Sequence, residues 1–125
     1  DIDCLEISAN HVRLDGRENI VGKTTTVTGC NVTITNLHMG STVEILGTSN
    51  VTIRDSNIDI RLYTGGPSGP VPTVMLSLED SHRCRVLSTS INGSFVATSI
   101  RLRNSSHNRF DTCRVIGATV FSLIN

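Results

Sequence analysis

The nine residues Asn31-Val-Thr-Ile-Thr-Asn-Leu-His-Met39 return nineteen positions later as Asn50-Val-Thr-Ile-Arg-Asp-Ser-Asn-Ile58. Each copy opens on Asn, alternates apolar and polar side chains, and closes on a large apolar residue. Alternation at period two places one set of side chains on a buried face of a strand and the other set in solvent. A strand unit that recurs about every twenty residues buries its apolar face only by stacking on its neighbours, which is the condition for a solenoid.

The period can be followed through five turns. The opening position is held by His11, Asn31, Asn50, Arg83 and His107. Three residues on, Leu14, Ile34, Ile53, Val86 and Phe110 align at steps of 20, 19, 33 and 24 residues, and a further series runs Ile20, Met39, Ile58, Ile91, Val115. A second strand precedes each opening residue, at Leu5 and Ile7, Thr25 and Val27, Val43 and Ile45, Leu76 and Leu78, Ile100 and Leu102. Two strands that keep nearly the same step over four intervals predict a single right-handed parallel β-helix of about five coils, one all-β domain over residues 1–125. A leucine-rich horseshoe would need a helical apolar period, and none is visible; a β-sandwich of short strands is the next alternative.

The long steps mark insertions. The 33-residue step contains an edge loop at 61–72 with all three Pro of the chain, and the 24-residue step a smaller excursion at 92–97. Pro and Gly at this density cannot continue a ladder. Both excursions follow the third ladder, so they are expected side by side along one edge. The two ends carry no polar cap, which raises the expectation of a fragment of a longer solenoid.

Composition narrows the partners. Formal net charge is zero, which argues against general nucleic-acid binding. No apolar run reaches the roughly 18–20 residues that span a membrane. The four cysteines, Cys4, Cys30, Cys84 and Cys113, show no metal-ligand spacing and are expected as free thiols. Asn-x-Ser/Thr triplets at Asn31, Asn50, Asn92 and Asn104 are near what chance supplies in such a composition. The residues imply no cofactor and no metal.

The runs Ser49-Asn-Val-Thr-Ile-Arg-Asp-Ser-Asn-Ile58 and Ser105-Ser-His-Asn-Arg-Phe-Asp-Thr-Cys-Arg-Val-Ile-Gly117 resemble the degenerate repeat of the pectate-lyase-like superfamily, including its NosD-like and phage-tailspike members. The resemblance spans nearly the whole chain and is structural. It implies a polysaccharide or oligosaccharide partner, a side-by-side homotrimer of the tailspike type, and a location in a phage virion tail or outside the cell. A polygalacturonase-like Asn-Thr-Asp, Asp-Asp and Gly-His-Gly set is absent, as is a pectate-lyase-like acidic cluster.

The ladders also list the outward side chains. Glu44, Ser77 and Arg101 should form one row, and Leu46, Glu79 and Arg103 the next. With Arg61 and Tyr63 from the edge loop, Glu79, Arg101 and Arg103 are the expected carbohydrate contacts; Glu44 and Glu79 are the candidate catalytic carboxylates of a lyase or hydrolase. A second face carries Arg54 and Asp111 in one row, and Arg85 and Arg109 in another that Thr33 and Thr52 extend; the four Arg on two adjacent coils, Arg85, Arg101, Arg103 and Arg109, would suit an anionic glycan. Outward Leu46, Met75 and Leu87 are expected on an exposed wall, with Leu62 and Val71 flanking the loop. The leading expectation is a polysaccharide-recognising domain; the alternatives are a non-catalytic trimeric stalk or adhesin segment and a complete polysaccharide-cleaving enzyme.

Overall fold

The computed structural model describes residues 2–64, 72–94, 96, 98–117 and 119–124. Among them, short strands build three parallel sheets. Sheet I stacks β1 (Leu5–Ile7), β4 (Thr25–Val27), β7 (Val43–Leu46), β10 (Val74–Glu79), β13 (Thr98–Arg103) and β16 (Phe121–Ile124). Sheet II stacks β2 (Arg13–Asp15), β5 (Val32–Thr35), β8 (Val51–Arg54), β11 (Arg85–Leu87) and β14 (Arg109–Asp111). Sheet III stacks β3 (Ile20–Val21), β6 (His38–Met39), β9 (Asn57–Asp59), β12 (Ser90–Gly93) and β15 (Arg114–Gly117). The chain visits the sheets in the order I, II, III and repeats, so each strand pairs with its equivalent one coil away. This is a parallel β-helix.

Two of the three expected ladders are in register as read from the sequence. In sheet II, Leu14, Ile34, Ile53, Val86 and Phe110 are successive partners, and in sheet I, Leu5, Thr25, Val43, Leu76 and Ile100 are. The third ladder differs by one residue at its start: Val21, not Ile20, pairs with Met39, and Ile20 pairs with His38. A one-residue slip exchanges the two faces of a strand, and accordingly Val21 is fully buried while Ile20 is half-buried. The inward rows of the three sheets meet in one apolar core that includes Val27, Ile34, Ile45, Ile53, Ile58, Leu78 and Ile91. Each such side chain contributes about 1.5–3 kcal/mol by leaving water.

Corners between sheets need the chain to turn sharply, and left-handed backbone supplies the turn. The five opening residues His11, Asn31, Asn50, Arg83 and His107 all have φ between 55° and 59°. Asn36, Asp55, Ser88 and Thr112 take the same conformation at the next corner, from sheet II to sheet III. Hydroxyls and thiols then satisfy the corner carbonyls: Ser81 Oγ donates to Ile45 O and Glu79 O, Ser105 Oγ to Arg103 O, Thr89 Oγ1 to Leu87 O, and Cys113 Sγ to Val86 O. All four cysteines are free, and Cys84 stands in a buried ladder position where burial pushes its thiol up, against a smaller lowering by a hydrogen bond from Val51.

Both insertions leave at the third corner, between sheet III and sheet I, although Asn92 and Gly93, expected in the second excursion, still pair within sheet III as the end of β12. A 3-10 turn at Ile60–Leu62 carries the first one back over the lower coils, where the Thr64 N–H donates to Gly22 O at 3.0 Å. Only glycine admits this path at Gly40, since a Cβ there would lie 2.5 Å from the Leu62 carbonyl. The rest of this loop, 65–71 with Val71, lies outside the described residues, as do Phe95 and Ala97 of the second excursion. Met75, expected on an exposed wall, is buried. The chain around Gly93 and Val96 closes over it, and a Cβ at Gly93 would lie 3.1 Å from Met75 Cγ. Leu46, Leu62 and Leu87 are half-buried.

Candidate functional site

The outward rows of sheet I keep the register that the alternation requires, but Ser77, expected on the outer face, is buried. Thr26, Glu44, Ser77 and Arg101 are register partners, as are Leu46, Glu79 and Arg103. Arg103 lies 3.9 Å from the Glu79 carboxylate, and the Arg101 guanidinium donates to Ser77 Oγ at 3.2 Å, with its Nε buried and unpartnered. Glu44 and Glu79 occupy different rows, each flanked in register by residues other than the second carboxylate.

Arg61 and Tyr63 sit elsewhere. They follow β9 at the corner that feeds the first residue of β10, whereas Glu79 ends that strand, about 16 Å further along it. Arg61 is committed to Asp59: its backbone N–H and its guanidinium all donate to that carboxylate, the closest contact being 2.6 Å. Burial alone would raise the Asp59 carboxyl, but the hydrogen bonds and charge of Arg61 outweigh it and hold the group below the ordinary carboxylate value. Tyr63 is half-buried and packs on the core. The structure therefore spreads the expected carbohydrate contacts over two edges of sheet I.

Sheet II assembles a denser constellation. Arg13, Thr33, Thr52, Arg85 and Arg109 form one outward column through all five coils. Beside it runs the column of corner residues, His11, Asn31, Asn50, Arg83 and His107. At the upper end, Asn50, Thr52, Arg83, Arg85, His107 and Arg109 line a groove of about 290 Å³. Arg85 and Arg109 are direct partners on adjacent strands, an arrangement of like charges that destabilises a sheet unless something neutralises them. Asp111 does so for Arg109 at 2.8 Å. Among the described residues, no carboxylate lies within ion-pair distance of Arg83 or Arg85.

The corner beneath this groove is firmly bonded. Ser106 N–H donates to His82 Nδ1 at 3.0 Å, and the Ser106 hydroxyl lies 2.9 Å from His82 Nδ1 and 3.0 Å from His107 Nδ1. Because His82 Nδ1 already accepts a backbone N–H, this cluster serves to lock the corner rather than to activate the serine. Elsewhere His38 Nε2 contacts Glu18 at 2.6 Å. Among the described residues, no three His, Cys, Asp or Glu side chains converge as a metal site would require.

The sequence pattern already held Arg85 and Arg109, because they alternate with inward Val86 and Phe110. It left out Arg83 and His107 as turn residues. The signal for them was the repeated spacing of Arg83 with Arg85 and His107 with Arg109, one coil apart.

Compared with known proteins, the chain matches no family model, no curated protein and no solved structure.

Proposed function

We propose that this chain is a glycan-recognising β-helix domain whose ligand is an acidic polysaccharide or oligosaccharide, held on the outer face of sheet II. The observation that carries the reading is the groove of Arg83, Arg85, His107 and Arg109 above an Asn50 and Thr52 floor. The Arg83 and Arg85 guanidinium groups, which have no acid partner among the described residues, favour carboxylate or sulfate oxygens, which they bind with directed, charge-assisted hydrogen bonds. The Asn and Thr floor offers donors and acceptors for sugar hydroxyls. The groove residues include no Phe, Tyr or Trp, the large rings on which the bases of single-stranded nucleic acid stack most strongly.

A phage-tail or extracellular setting and a cleavage activity rest on the repeat resemblance, and Glu44 and Glu79 gain no support as a catalytic pair. The stalk reading, with trimerisation along the walls, needs exposed apolar side chains there. Among the described residues, the exposed large apolar side chains lie on the first and last coils: Ile2, Ile116, Val120, Phe121, Leu123 and Ile124. That distribution favours the glycan reading.

The test is titration calorimetry with hyaluronan-derived oligosaccharides, which carry carboxylates, heparin-derived ones, which also carry sulfates, and neutral dextran. Saturable binding of one acidic series, with Arg85→Ala weakening it about tenfold, is expected, since a hydrogen bond to a charged group contributes about 1.5–3 kcal/mol. Equal binding of dextran, or an Arg85→Ala variant that binds as tightly as the parent, overturns it.

A further inference from the structure

We infer that the acidic glycan lies across the strands of sheet II, along the solenoid axis, and that Arg13 supplies a second anion-binding position at the far end of the same track; this rests on the glycan reading above. The upper groove has a counterpart on the same face. Arg13, Leu14, Asp15, Thr33, Thr35 and Arg54 line a second groove of about 290 Å³. Thr33 of the lower groove and Thr52 of the upper one are direct register partners, so the two grooves adjoin through neighbouring coils.

The charges along this line are uneven in an informative way. The column begins with Arg13, passes over the neutral, short side chains of Thr33 and Thr52, and ends with Arg85 and Arg109. The corner column repeats the pattern, with His11 at one end, Asn31 and Asn50 in the middle, and Arg83 and His107 at the other. Strands in a parallel sheet are about 4.8 Å apart, so Arg13 and Arg85 stand roughly 14 Å apart at the backbone. Of the two cations in the lower groove, Arg54 is paired with Asp55 at 3.2 Å. Asp15 is occupied by the Arg17 backbone N–H at 3.0 Å and by Asn36 at 3.3 Å. Among the described residues, Arg13 has no carboxylate within ion-pair distance, which leaves it as the lower groove's available cation.

Direction follows from dimensions. The strands of sheet II are three or four residues long, about 10–13 Å, and each is closed at both ends by a corner. Across the strands the face runs for five coils, about 19 Å at the same spacing. Between its cationic ends only Thr and Asn side chains of the two columns stand above the sheet. A linear chain of several sugars fits along that trough, whereas one laid along a strand would leave the face after a single coil and reach only one cationic end.

The experiment compares di- and hexasaccharides of the acidic series that binds, using the whole chain and its Arg13→Ala and Arg85→Ala variants, each checked for an unchanged thermal transition. The hexasaccharide is expected to bind at least tenfold tighter than the disaccharide, and Arg13→Ala to bring it down to the level of the disaccharide. Arg85→Ala should weaken both. If Arg85→Ala weakens both ligands but Arg13→Ala leaves the hexasaccharide advantage intact, the track is wrong and the upper groove stands alone. If Arg85→Ala changes neither ligand, the glycan reading itself fails.

Discussion

Arg83 and His107 hold backbone φ values of 56° and 59°, a region that Asn and Gly enter readily and that costs other L-residues roughly 1–2 kcal/mol. Asn50 and Asn31 fill the equivalent corner one and two coils below Arg83 at little cost. An Arg and a His at the same position therefore work against the fold locally, and both side chains line the upper groove beside Asn50. The expectation is a change of opposite sign in two measurements. Arg83→Asn should raise unfolding free energy by about 1 kcal/mol in urea denaturation, and weaken acidic-glycan binding severalfold. A variant that loses both would show that Arg83 supports the corner instead. The arrangement also explains what the sequence concealed. Period-two alternation assigns a face to every strand residue but none to a left-handed corner residue, so Arg85 and Arg109 were readable as a cationic row while Arg83 and His107 were not.

The strand ladder is the unit in which packing has to be judged. Thr25 sits between Leu5 and Val43 in the inward row of sheet I, fully buried, and its hydroxyl has no hydrogen-bond partner within the protein. Burying an unpaired hydroxyl costs about 1–3 kcal/mol. Thr25→Val keeps the branched shape and should stabilise the chain by about that amount; a loss of stability would mean that the hydroxyl has a partner when folded in solution. Ladders of this kind were legible because like side chains recur at a common step, and the registers of sheets I and II follow from it directly. Two features escaped. Val21 replaces Ile20 because adjacent large apolar residues leave the face ambiguous, and β3 is only two residues long. Met75 is buried because the chain around Gly93 and Val96, further along the same coil, closes over it, which strand alternation cannot express. Arg61 and Tyr63 follow β9, the third-ladder strand of their coil. The path of that segment back over Gly40 and Gly22 depends on backbone contacts that no periodic pattern encodes.

For the molecule as a whole, zero net charge hides a strong local division. Acidic partners neutralise Arg54, Arg61, Arg103 and Arg109 in place, while Arg13, Arg83 and Arg85 on the sheet II track face solvent with no carboxylate at ion-pair distance among the described residues. Long-range attraction to a polyanion is therefore weak, and the contact itself is local and open to screening. Raising NaCl from about 0.05 M to about 0.5 M shortens the screening length severalfold. Affinity for the acidic glycan should fall markedly over that range while the thermal transition moves little, since exposed ion pairs contribute about 0–1 kcal/mol each. Salt-independent affinity would point to recognition by hydroxyl contacts, with the arginines as bystanders.

Both long excursions depart from the same seam, between sheet III and sheet I, after the two other corners of the coil have been closed by left-handed residues and bonded hydroxyls. Chain added at that seam leaves the registers on either side intact, as steps of 33 and 24 residues beside steps of 20 and 19 already illustrate. The seam is thus the natural port for grafted peptides or reporter segments, and the opposite face, where the cationic track lies, would remain undisturbed by the cargo.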